Sequence, residues 1–208
     1  MVRDRAIDRF VKEVEQSPEV KAAGQRAKVY KLARDHSAEA LRQAHAIQLP
    51  WYRCQALSFI VDARPNMAGA EAILLEAMDA AFAQQEPNRI ASVAAWPLSV
   101  MVRRGIGSPA KHVQKLLAVI AAEPHGLRRL HGQAAILGSI LNHRVLREMV
   151  LPAFVRTLSH SSGWRTERIA GAVAQSLVDL DRGAASTIVK AQPASRFNRG
   201  ARLALGLE

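Results

Sequence analysis

Apolar residues recur at three- and four-residue intervals along almost the whole chain, and no stretch of any length alternates apolar with polar positions. That spacing is the period of helices burying one face, so the pattern predicts an all-α protein. The rhythm breaks at regular points. Pro18, Pro50, Pro87, Pro124 and Pro193 each stand where one apolar run ends and the next begins, and Ser162-Gly163 divides the long interval between the last two. Proline suits the first turn of a helix, where its missing N–H has no intrahelical acceptor to lose. A break of this kind every 31 to 38 residues marks an array of stacked helical hairpins.

The predicted pairs are 2–16 with 18–35, 37–48 with 50–63, 66–85 with 87–103, 108–122 with 125–142, 144–159 with 162–181, and 182–191 with 194–206. Ser37, Asn66, Ser108 and Ser162 are expected as N-terminal caps, because a short polar side chain can accept from a free N–H of the first turn. Pro109 then takes the first position of its helix. Gly105 and Gly183 are expected at helix ends. Pro97 and Pro152 fall inside helices and should kink them. No linker, low-complexity tract or charge run divides the chain, which reads as a single domain over 1–208 with 1–36 as an N-terminal cap pair.

Composition narrows the function classes. Hydrophobic residues make up 49% of the 208 positions and aromatic residues only 5%, which favours helix-on-helix packing over a sandwich or barrel. Cys54 is the only cysteine, so neither an intramolecular disulfide nor a cysteine zinc site can form, and a reducing compartment is expected. Met1 to Phe10 has alternating charge and no apolar core of a leader. Ile90 to Val102, the longest nearly apolar run, is too short to span a bilayer. The expectation is a cytoplasmic protein that does not enter membranes.

The formal charge is +11, and it is uneven. Residues 1–103 hold 14 basic and 12 acidic residues, whereas 104–208 hold 15 basic against 6 acidic. An excess of this kind invites an acidic partner. It also fits a chain that prefers Arg to Lys, 22 to 7, and keeps charge for solubility.

The second helix of each pair opens in a shared way. Trp51-Tyr52-Arg53 leads to Ala56-Leu57, and Pro87-Asn88-Arg89 leads to Ala91 and Ala94-Ala95. Leu127-Arg128-Arg129 leads to Ala134-Ala135 and Leu137-Gly138. Trp164-Arg165 with Arg168 leads to Ala170, Ala172 and Ala174, and Arg196 with Arg199 leads to Ala201 and Ala204. Small residues after an arginine let neighbouring helices approach closely, as stacking requires. The pattern resembles the HEAT (armadillo-type) helical repeat, whose second helix tends to open at an acidic or proline turn with an apolar-Arg pair before an Ala-rich stripe. Glu123-Pro124 through Gly138 matches best and Trp164 through Leu177 next, within a resemblance covering 37–206. It implies an α-solenoid of about six antiparallel helix pairs wound as a right-handed superhelix. In such arrays an acidic residue at the turn often holds the neighbouring repeat's arginine. Most turns here lack one, leaving several arginines without an obvious local partner.

Catalytic motifs are sparse. The seven histidines form no His-x-x-x-His or His-Glu-x-x-His pair, and no glycine-rich phosphate loop or Gly-x-Ser-x-Gly occurs, so no metal or cofactor is expected. Cys54 sits near a helix start beside Arg53, which would lower its pKa if it were exposed, but a buried structural thiol is the simpler reading. Some HEAT-like proteins are DNA glycosylases that remove alkylated bases with an acidic and aromatic residues on a basic face. Trp51, Trp96 and Trp164 on second helices fit that outline and could stack on bases, or else fill the core between repeats. Position +4 after each is Gln55, Val100 and Arg168, so none has an aspartate one turn downstream. Asp62, Asp179 and Asp181, near second-helix ends, are the acids that remain.

The residues expected to bind are Arg53, Arg89, Arg128, Arg129, Arg165, Arg168, Arg196 and Arg199. Each lies at a helix start, where free N–H groups and the helix dipole favour anions, and guanidinium adds a planar fork matched to phosphate. Aligned along one edge at about 10 Å per repeat, they would follow a phosphate backbone, or alternatively bind repeat to repeat. The expected function is a non-catalytic binding module for an acidic macromolecule, either nucleic acid or protein. A glycosylase and a scaffold with incidental charge stand as alternatives.

Overall fold

In a computed structural model the protein is described over residues 17–207, so the predicted helix 2–16 lies outside the described residues. The described residues form eleven α-helices and no strand. They are α1 (Pro18–Leu32), α2 (Ser37–His45), α3 (Pro50–Ala63), α4 (Ala70–Phe82), α5 (Pro87–Arg104), α6 (Pro109–Ala121), α7 (Gly126–Ser139), α8 (Arg144–Ser159), α9 (Trp164–Leu177), α10 (Arg182–Lys190) and α11 (Arg199–Leu205). No helix among them is long and apolar enough to cross a membrane.

Proline begins three of the six predicted second helices. Pro18, Pro50 and Pro87 each occupy a first position, as does Pro109 in α6. Pro124 stands two residues ahead of α7, and Pro193 six ahead of α11, so the final helix is shorter than its apolar pattern predicts. Pro97 and Pro152 lie within continuous helices.

Capping departs from expectation at several sites. Ser37 is the first residue of α2 rather than its cap, and the side chain of the capping residue His36 makes no cap hydrogen bond. Asn66 falls in the turn before α4, whose start follows Gly69 in the left-handed region. Ser108 stands at the cap position of α6, but its hydroxyl makes no cap bond. Ser162 is displaced by Gly163, and its carbonyl accepts instead from the Thr166 hydroxyl. Gly183 lies inside the first turn of α10, whose cap is Asp181 accepting from the Ala184 N–H at 3.0 Å. Ser17 caps α1 and His143 caps α8. Gly105 closes α5 in the left-handed conformation, as its position implies.

The odd-numbered helices form a row in which α1 packs on α3, α3 on α5, α5 on α7, α7 on α9 and α9 on α11. The even-numbered helices come into close mutual contact only from α6 onward, through α8 to α10. The core lies between the two rows, with Leu74, Leu116 and Phe154 of the even helices fully buried in it. Leu57 and Ile60, Ala94 and Leu98, Ile136 and Leu137, and Ala174 and Leu177 are all fully buried there. Small residues set the spacing. A Cβ on Gly132 of α7 would stand 2.5 Å from Ile120 of α6 and 3.1 Å from the Ala91 methyl of α5. The helices meet where the side chain is missing, and even one methyl would overpack the contact.

Candidate functional site

The starts of the odd helices lie along one edge, and the structure sorts their arginines into two kinds. Around α5 and α7 they are bonded to the protein. Arg89 pairs with Glu86, Nε to Oε2 at 3.0 Å. Arg128 reaches back to the preceding odd helix, donating to Asn88 Oδ1 at 3.0 Å and pairing with Glu86 at 3.2 Å and Glu123 at 3.4 Å. Arg129 donates to the Glu123 carbonyl, from Nε at 2.8 Å. Glu123 is itself buried and also accepts from the His125 N–H at 3.2 Å. These arginines do not stand at the acid-free turns expected to leave an arginine partnerless. The two turns that do carry an acid, Glu86-Pro87 and Glu123-Pro124, hold these three. Arg53 is half-buried, and its Nε is shielded from water without a hydrogen-bond partner.

The C-terminal end differs. Trp164 opens α9 with 53% of its surface exposed. The Arg165 and Arg168 guanidinium groups lie 5.2 and 5.5 Å from its ring centre. Phe197 stacks against the same ring, with centroids 6.3 Å apart and planes inclined by 29°. Arg196 sits 4.7 Å from the Phe197 ring centre. All three arginines are exposed and form no ion pair among the described residues, although Glu167 stands in the first turn of α9 between Arg165 and Arg168. Arg199 begins α11 on the surface and has an interaction of its own within the fold.

Two features bring Phe197 to Trp164. The buried Asn198 side chain knits the loop before α11, accepting from the Ser195 N–H at 3.0 Å and donating to the Pro193 carbonyl at 2.8 Å. Gly171 in α9 then lets that loop lie directly on the helix, since a Cβ there would come within 2.1 Å of the Phe197 carbonyl oxygen. The predicted helix over 194–206 hid this loop, and with it Phe197, from sequence reasoning.

A second feature lies on the exposed side of the odd row. A groove of about 470 Å³ is lined by Phe59 and Asp62 of α3, Trp96, Ser99 and Arg103 of α5, and Gly138 of α7. Trp96 is 48% exposed within it. Asp62 is held by Arg103 at 2.9 Å and by Arg104 at 3.8 Å. Gly138 also borders an apolar groove of about 300 Å³ between α7 and α9, lined by His131, Leu141, Ile169 and Val173. The Trp96–Asp62 juxtaposition was invisible along the chain, because the aspartate comes from α3 rather than from one turn downstream in α5. Trp51, 38% exposed, lines a separate recess of about 400 Å³ with Tyr52 and Arg89. All three tryptophans lie on the surface, against the alternative that they fill the core.

Asp181 and the thiol are placed for structure. Asp181 caps α10 and pairs with the buried Arg147 at 3.6 Å. Asp179 is exposed beyond the end of α9. Burial pushes the Cys54 thiol up to about 12, so it stays protonated and un-nucleophilic at neutral pH. Among the described residues no group of three or more His, Cys, Asp or Glu side chains is placed to hold a metal ion. Comparison with family models, with curated proteins and with solved structures finds no match for this chain.

Proposed function

We propose that this chain is a non-catalytic helical-repeat module, HEAT-like in its stacking, whose odd-helix face engages an acidic partner: nucleic acid phosphate or an acidic protein surface. The observation that carries the reading is the exposed group Arg165, Arg168 and Arg196, whose guanidinium groups lie over aromatic rings and form no ion pair among the described residues. Cationic groups held on ring faces, with no carboxylate drawn in to neutralise them, keep their charge for a ligand. The unequal packing of the two helix rows supports a superhelix with the odd helices on its concave side, since the tighter row takes the shorter path. The mechanism is electrostatic attraction to a preformed surface, with phosphate or carboxylate oxygens taken by guanidinium forks. The test is fluorescence anisotropy of labelled duplex and single-stranded oligonucleotides, titrated at several salt concentrations. Nucleic-acid binding predicts affinity falling steeply with salt. A protein partner predicts capture that survives nuclease treatment.

A second reading is favoured by the groove that joins Trp96 to Asp62. There a base-excision enzyme acting on alkylated bases would place an aromatic ring beside a carboxylate. Against it, Asp62 already forms ion pairs with two arginines. Release of an alkylated base by the wild-type protein, lost in Asp62→Asn, would establish that reading.

A further inference from the structure

We infer that the Trp164–Phe197 patch binds single-stranded nucleic acid by stacking an unpaired base on its rings while Arg165, Arg168 and Arg196 take the flanking phosphates. This inference rests on the acidic-partner reading above and narrows it to one partner. Charge alone does not separate a nucleic acid from an acidic protein, but the rings do. The patch interleaves two aromatic rings with three guanidinium planes on one exposed surface, 4.7 to 5.5 Å from guanidinium to ring centre. Both components present π faces, and every base has one to match, whereas a carboxylate side chain uses only the charge. The rings are also a built feature. Gly171 and Asn198 together hold Phe197 against Trp164 instead of letting the loop run free. Exposing a tryptophan by 53% on a helix that buries Ala170, Ala174 and Leu177 forgoes burial that packing alone would favour.

A single strand is required by geometry. In a duplex the base faces are covered by their neighbours, so only an unpaired nucleotide can reach the rings. Sequence preference is weak, because stacking and phosphate contacts read no base edges.

The experiment compares five probes at fixed salt: oligothymidylate, oligouridylate, an abasic strand of equal length, a duplex and polyglutamate. Wild-type protein should bind the base-bearing strands about tenfold more tightly than the abasic strand. The two base-bearing probes then show whether DNA or RNA is preferred. Trp164→Ala should remove that tenfold difference while leaving the abasic affinity in place, and Trp164→Phe should keep most of it. Equal affinity for abasic and base-bearing strands overturns the inference without touching the wider reading, as does a preference for the duplex. Binding of polyglutamate alone overturns it in favour of an acidic protein. Failure to bind any polyanion overturns both. The wild-type comparison needs no variant, so the result stands even if Trp164→Ala folds poorly.

Discussion

The odd helices begin alike in sequence and end differently in chemistry. At α5 and α7 the opening arginines close onto Glu86, Asn88 and Glu123, and Arg128 ties the start of α7 to that of α5. At α9 and before α11 they lie on Trp164 and Phe197 and bond to no acid. The turn decides the outcome. Glu86-Pro87 and Glu123-Pro124 bring a carboxylate to the arginines, whereas Ser162-Gly163 and Ala194-Ser195 bring none. A repeated residue is therefore no guide to a repeated role. The same guanidinium is a structural tie where the preceding turn supplies an acid, and lies over an aromatic ring where it does not.

The comparison is broken most severely at Gly171. Gly171→Ala drives a methyl into the Phe197 carbonyl, so the loop must lift from α9. We expect a loss of about 3 kcal/mol, at the upper end for overpacking, read as a drop of several degrees in Tm. Disruption of the Trp164–Phe197 stack should also reduce the near-ultraviolet circular dichroism. Glu123→Gln comes next. It removes the buried carboxylate facing Arg128 and should cost about 2 kcal/mol in chemical denaturation, below the usual loss for a fully buried pair because Arg128 is partly exposed. Arg128→Gln should cost about 1 kcal/mol, since its three partners are shared with other groups. Arg165→Gln with Arg168→Gln should change stability by less than about 0.5 kcal/mol. That double variant should still lower the salt slope of single-strand binding by about 1.4, the value for two phosphate contacts.

Much of the architecture was legible in the chain, because it rests on local chemistry. Proline marks a helix start from either side of the contact map, and Pro18, Pro50, Pro87 and Pro109 do so here. Where a start depends on tertiary contacts the pattern misleads. The loop before α11 keeps helical periodicity in sequence, but the Asn198 hydrogen bonds and the close approach at Gly171 hold it as a loop. The site was half legible. Its residue types and their position near helix starts follow from the shared opening pattern in the chain. The fate of each arginine does not, because Asn88 lies 40 residues from Arg128 in the chain. The Trp96–Asp62 groove was hidden in the same way, its halves lying on α5 and α3.

The account stands or falls on separating the two groups of arginines. The direct measurement sets Arg128→Gln/Arg129→Gln beside Arg165→Gln/Arg168→Gln and determines Tm and polyanion affinity for both. The account predicts a crossed result: the first pair lowers Tm and leaves most of the affinity, and the second lowers affinity and leaves Tm. A second pair that lowers Tm without loss of affinity would contradict it, because the C-terminal arginines would then be structural ties like the others.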